Sequence, residues 1–475
     1  MEIDDSPLMN EVDKVIEDGP RDVYYRWEVE FKIKDTFEGE LPLTEKDKKL
    51  ASEEELNEKI YKPLKLLSFD TERDYEKNYG DYLKLRAFVP YGTWVKVLFI
   101  AREHLLCTIT KTPLIESTYE VDPDREIVTV SYDCIPQMRE DLEIEVSRFA
   151  MQDKFTLDTT FAPLEIDFEL LDRSLEVTRK VTMGAIVRKQ KPEDVIKGIM
   201  AKFTEDLEID EGKAVEKITL IKPDNEEERE HFLIPHGTKI LDVPNFIQNK
   251  CGGVFSTGLN TFFQNNQIYI YPIANLKRFD DEEQTLTVIR VPEDRYTDIE
   301  RTYKLDDKRL TVLATSESKF SDINKAMLLK EGNGVRFADA RKFMNKITET
   351  KDNKSTIKRK DTNHEYLSVP LEKQNTVEMA ETRIHSNPFK EYSKQAKKDG
   401  GLFSFVWQNA DISLLYPGMP VKVLYSDQED VKELQGVLLK VHGVIQSTVQ
   451  GMAPSGHISQ ASLFVYAAVP EEVGK

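Results

Sequence analysis

The clearest pattern of apolar and polar positions is a strict alternation from Tyr25 to Lys34. Tyr25, Trp27, Val29, Phe31 and Ile33 share one face, and Arg26, Glu28, Glu30, Lys32 and Lys34 share the other. A period of two marks a strand with one buried and one wet face. β-Branched and aromatic runs predict further strands at 126–132, 142–149 and 174–181. Tyr82 to Val89, a Pro90–Thr93 turn and Trp94 to Phe99 read as a hairpin. Near the C-terminus, Ile412–Tyr416 runs into Pro417-Gly418-Met419-Pro420, where Pro presets φ and Gly accepts a positive one. Strands at 421–425, 437–445 and 462–466 follow. Setting Gly92 over Gly418 aligns Val95–Phe99 with Val421–Tyr425, which predicts two copies of one strand module.

Between these β-rich ends the period changes. Pro192, followed by Glu193 and Asp194, opens a helix with Val195, Ile199 and Phe203 on one face. Asp242 is expected to cap a second helix carrying Pro244, Phe246, Ile247 and Cys251, stopped at Gly252-Gly253. Strands are expected at 267–272, 285–291 and 309–314, and helices at 322–330 and 335–347. Residues 35–60 are polar and suit a loop or short helix. Residues 351–361 are too polar to pack and are expected to be mobile.

Composition narrows the class. The 475 residues hold 39% hydrophobic and 32% charged residues, which suits a folded chain of several domains. No apolar run approaches the ~20 residues of a membrane span, and the acidic start is the reverse of a signal peptide. Three scattered cysteines, Cys107, Cys134 and Cys251, do not make a disulfide framework. The net charge of −20 argues against sequence-independent binding of nucleic acid, which needs clustered cations. Charge is uneven: residues 1–60 hold 19 acids against 9 bases, and residues 341–360 hold 8 bases against 2 acids.

A search for chemistry gives no catalytic, cofactor-binding or metal-binding residues. His104 and Cys107 lack two further partners at ligand spacing. Pro235 spoils a helical pair of His231 and His236. His442, within an apolar strand, reads as a packed or hydrogen-bonded core residue rather than a general base. Ser316 to Lys319 satisfies SxxK without its companion motifs. The Gly253–Gly258 stretch has the wrong spacing for a nucleophile elbow, and no phosphate-cradling glycine loop is present.

Taken together, Arg73-Asp74-Tyr75, Asn78–Tyr82 and Pro90–Phe99, then Ile234–Thr238 with Gly252–Gly258 and Ile268–Pro272, then Leu415–Tyr425, Val437–Ser447 and Ala461–Tyr466 resemble the central baseplate hub proteins of long-tailed bacteriophages. That group includes the late-control protein and the base of the type VI secretion spike. The resemblance implies an α+β, mostly β fold with two tube-like antiparallel barrel or sandwich domains around an α+β insert. It places an acidic N-terminal arm at 1–19, the first tube-like domain at 20–182 and the insert at 183–316. The second tube-like domain then covers 317–475, with helices and a basic mobile loop at about 348–400.

The implied function is structural: a non-enzymatic virion protein of the tail baseplate, made in the host cytoplasm. As a homotrimer it would join a sixfold tail tube to a trimeric central spike and form part of the DNA ejection channel. The implied partners are itself, tail tube or tube-initiator proteins, the spike and a tape measure protein, with no membrane, no sequence-specific nucleic acid and no cofactor. Exposed strand edges, a hazard on a monomer, would become joints in a closed ring. Two other readings stand beside it: another tail component such as a tube initiator or neck ring, and a cell-wall-degrading hydrolase. Rotational symmetry separates the first and zymography the second.

Overall fold

The computed structural model describes residues 7–18, 24–41, 60–115, 118, 120–123, 125–137, 163–209, 212–293, 301–321, 348–351, 354–357, 389, 393, 396, 400–427, 430–447 and 457–468. A helix, α1 (Pro7–Asp18), precedes seven strands: β1 (Tyr24–Ile33), β2 (Ile60–Tyr61), β3 (Lys65–Asp74), β4 (Tyr82–Pro90), β5 (Leu105–Leu114), β6 (Val128–Gln137) and β7 (Pro163–Asp172). Their order in the sheet is β2-β1-β5-β6-β7-β4-β3, antiparallel throughout. The alternation of β1 is realised: Val29, Phe31 and Ile33 are buried with Leu85, Leu105 and Phe168 in one core.

Two expectations are overturned in this unit. The Trp94–Phe99 strand is absent: Tyr91–Thr93 is helical and Trp94–Leu98 forms a π-helical turn. Trp94, Val97, Leu98 and Ala101 are all buried, and that spacing is helical rather than alternating. The match of Gly92 with Gly418 therefore aligns a helical plug with a strand. The Ser174–Val181 strand is instead α2 (Arg173–Lys180). Asp172 accepts a bond from the Leu175 N–H at 2.9 Å, Glu176 lies in the first turn, and Arg179 and Lys180 lie in the last. Cap and end charges outweigh the β-branched residues in between. The strand expected at 142–149 and the helices at 322–330 and 335–347 lie outside the described residues.

The middle of the chain builds smaller pieces. A ribbon pairs β8 (Thr182–Gln190) with the later β12, and between them come α3 (Pro192–Thr204), the short pair β9 (Glu208–Ile209) and β10 (Gly212–Lys213), and β11 (Lys217–Leu220). β12 (Arg229–Lys239) leads to α4 (Val243–Lys250), then β13 (Leu259–Gln264) and β14 (Gln267–Pro272); β14 pairs antiparallel with β13 and parallel with β11. α3 begins at Pro192 as expected and buries Val195, Ile196, Ile199 and Met200. α4 ends where φ turns to +95° at Gly252 and +90° at Gly253. Asp242 does not cap it: no side-chain bond reaches the helix, and its carboxylate accepts from the Tyr79 hydroxyl. That bond ties this middle region to the first sheet.

The remaining strands are β15 (Thr285–Arg290), β16 (Tyr303–Asp306), β17 (Arg309–Ser321), β18 (Thr348–Lys351), β19 (Lys354–Ile357), β20 (Gly400–Gln408), β21 (Pro420–Asp427), β22 (Asp430–Ser447) and β23 (His457–Ala468). β22-β21-β15-β17-β20-β23 close back onto β22 as a six-stranded barrel. β15 runs parallel to both of its neighbours, so strands 285–290 and 309–321 complete a barrel with the C-terminal strands. β18 and β19 form a hairpin inside the stretch expected to be mobile. The turn into β21 has φ +68° at Gly418, as its sequence requires. α1 lies against the barrel's outside, packing Leu8, Val12 and Val15 on Ile289, Val291 and Leu313. The chain is thus mostly β, with a closed six-stranded barrel, additional sheets and a few helices.

Candidate functional site

β22 is long because it serves two sheets. Val431 to Val437 bonds to β21, and Lys440 to Gln446 bonds to β3 along the same edge, while β23 takes the other edge. The change of partner coincides with a bulge between Leu438 and Lys440, where the Leu439 carbonyl accepts the Tyr75 N–H at 2.9 Å. One hydrogen-bonded surface therefore runs β23-β22-β3-β4-β7-β6 across both β units. Inward positions are mostly apolar, with Thr71 and Arg73 as buried exceptions, and outward positions are mostly polar, with Val444 and Ile135 as exceptions.

The outward positions align by register. His442 lies beside Glu72; Val444 beside Asp70, Lys84 and Glu169; Gln446 beside Ser68, Arg86 and Asp167. Arg86 reaches Asp167 at 2.8 Å and Lys84 reaches it at 3.1 Å, while Lys440 pairs with Glu72. Burial works to raise the Asp167 carboxyl, but the bonds from Arg86 and Lys84 outweigh it and hold it below its ordinary value. Acids outnumber bases on this face, because Asp70, Glu165 and Glu169 accompany those pairs.

Beneath the face lies a cavity of about 220 Å³ at the junction of the two β units. Trp27, Phe69, Ile109 and Ile445 give it an apolar wall, and two ion pairs stand at its side. Lys111 meets Asp411 at 3.0 Å and lies 3.8 Å over the Tyr25 ring, and the Tyr25 hydroxyl donates to the same carboxylate at 3.0 Å. Burial pushes Asp411 upward, but Lys111 and Ser413 more than offset it, so the carboxyl lies below its usual range. Arg73 pairs with Asp81 at 3.1 Å and donates to the Ile412 carbonyl at 2.5 Å. Burial raises Asp81 in spite of Arg73, whereas Asp81 raises Arg73 against burial.

The residues singled out in the sequence do not converge. His442 is exposed on the outward face, not packed in the core, because Val441 and Gly443 take the inward positions. His231 and His236 are exposed on β12. His104 Nδ1 lies 3.0 Å from the Thr36 hydroxyl, and Cys107 is buried. Among the described residues no group of three or more His, Cys, Asp or Glu is placed to hold a metal ion. Nor, among them, is any helix long and apolar enough to cross a membrane. The seam residues Arg73, Asp81, Lys111 and Asp411 were invisible as a group, since 338 positions separate the first from the last.

No family model matches the chain, and no curated protein matches it in sequence. Among solved structures it is similar to the tail protein of Neisseria meningitidis MC58, with TM-score 0.41 and 10% identity over 93% of this chain and 96% of that one. It is also similar to the c3393 protein of E. coli, a type VI secretion system component with structural similarity to T4 bacteriophage tail proteins gp27 and gp5. There the TM-score is 0.37 and the identity 8%, over 86% of this chain and 75% of that one. A chain of the Francisella PdpA-VgrG complex gives TM-score 0.38 and 9% identity, over 97% of this chain and 61% of that one.

Proposed function

We propose that the protein is a structural component of a phage-type tail baseplate, a hub ring in which the outward sheet face lines a central channel. The observation that carries this reading is the continuity of β23-β22-β3-β4-β7-β6 across both β units. A wall of that width, polar on one side and backed by hydrophobic cores on the other, suits a tube lining better than a reaction chamber. Three copies, each contributing two β units, make a pseudo-sixfold ring that joins a sixfold tail tube above to a trimeric spike below. The division into two tube-like units around an insert belongs to this proposal, with strands 285–290 and 309–321 counted in the closed barrel and not in the insert, as do the tape measure contact and the virion location. An acidic lining weakens adhesion of DNA phosphates during ejection.

The test is the rotational symmetry of the purified assembly, by native mass measurement and negative-stain averaging. Threefold particles with pseudo-sixfold density are expected. A stable monomer at high concentration, or a true sixfold ring, overturns the reading.

A further inference from the structure

β1 and the chain after β2 begin as an antiparallel pair and then part. Phe31 pairs with Tyr61 and Lys32 with Ile60. Continuing that ladder would set Lys62 opposite Glu30 and Pro63 opposite Val29. Lys62 still reaches Glu30 through its side chain at 2.9 Å, but Pro63 has no N–H to donate, and the chain turns away into β3. Among the described residues, no strand is hydrogen-bonded to the edge of β1 from Tyr24 to Glu30 that faces away from β5, although β3 and β23 pass near β1. The other β unit closes completely with six strands, whereas the seven strands from β2 to β3 are not joined end to end. Among the described residues, the first sheet is thus left without a hydrogen-bonded closure at this seam.

That seam leads inward. Trp27, Val29, Pro63 and Leu66 line a surface cleft along the fork, with His457 at its far side. Trp27 and His457 also border the 220 Å³ cavity. Aliphatic side chains stand exposed around that cavity: Val128 at 49%, Val130 at 38% and Ile458 at 42%. Among the described residues, the Arg, Lys and Asp side chains that line the cavity are paired, Arg73 with Asp81 and Lys111 with Asp411. A charged group entering it would be desolvated with no ionic partner to meet it.

We propose that this seam is a binding site for an extended peptide segment of a partner protein. The segment adds as a strand along Tyr24–Glu30 and places a neutral apolar anchor, of leucine or phenylalanine size, in the cavity. Main-chain bonds to the open edge supply affinity, and the charge-balanced cavity supplies the preference for an apolar anchor. The proposal does not depend on the ring reading, since the seam is a property of one chain.

The experiment uses the full chain and a blocked seven-residue peptide of alternating threonine and phenylalanine as probe. It is compared with the same peptide N-methylated at alternate amides, and with a neutral naphthylamine dye that can fill the cavity but cannot form a strand. Hydrogen exchange of the β1 amides and dye fluorescence are the readouts. The plain peptide is expected to protect amides within Tyr24–Glu30 and to displace the dye, with N-methylation weakening it at least tenfold. Val130→Trp, at an exposed position that tolerates bulk, is expected to reduce both dye and peptide binding; Ile445→Phe serves as a second filling variant. Dye binding without peptide binding, equal binding of the N-methylated peptide, binding unchanged in both filled variants, or no binding of either probe overturns the proposal.

Discussion

At the scale of single residues, the seam is held by charges that burial makes expensive to separate. Asp411 accepts from Lys111, Tyr25 and Ser413 in a setting that little water reaches. Removing one partner of a buried pair leaves the other charge uncompensated, which costs about 3–5 kcal/mol. Asp411→Asn is therefore expected to lower unfolding stability by roughly 3 kcal/mol at pH 7, read from urea titration. Its pH dependence has a definite sign. The folded carboxyl titrates below its unfolded value, so its contribution is complete above the ordinary Asp pKa of about 4 and fades as pH falls through the folded value. The gap between wild type and variant should stay level from about pH 5 to 8 and narrow below about pH 4. A gap that widens in acid contradicts the assignment.

At the scale of elements, the sequence was informative where one period dominated and misleading where two competed. β1 could be read residue by residue because each apolar position faces the core and each charge faces water. The Trp94–Phe99 run could not, since Val95, Val97 and Phe99 alternate while Trp94, Val97, Leu98 and Ala101 repeat at helical spacing. Tertiary packing chose the second pattern: Trp94 lies edge-on to Phe168, 6.4 Å between centroids, and closes the first core. At α2 the deciding residue was Asp172, which looks like any other acid until its bond to Leu175 is seen. Asp172→Ala is expected to cost about 1 kcal/mol, a typical N-cap loss. Calorimetry reads it as a lower melting temperature, and Asp172→Ser should recover most of the difference. The candidate site was the least legible part, since neither a cavity nor a shared sheet face follows from any local pattern.

At the scale of the molecule, β22 makes two β units into one hydrogen-bonded object, and this has a consequence for cooperativity. Had the units been separate barrels joined by a linker, each would melt on its own. Val441 instead faces Leu463 of β23 on one edge and Arg73 of β3 on the other, so the same strand belongs to both ladders. A proline there removes an N–H from a strand bonded on both sides and cannot be placed on an edge, at a cost of about 3 kcal/mol or more. Val441→Pro should therefore weaken the first sheet and the closed barrel together. Hydrogen exchange is the direct check, with amides at Leu85 in β4 and Leu463 in β23 losing protection in one step. Deleting residues 1–18 makes the contrasting case, because α1 covers only the barrel's outer surface at Ile289, Val291 and Leu313. That truncation should expose an apolar strip and promote self-association while leaving protection at Leu85 unchanged. If Val441→Pro spares β4, the two units are mechanically independent and the shared strand is a contact rather than a common frame.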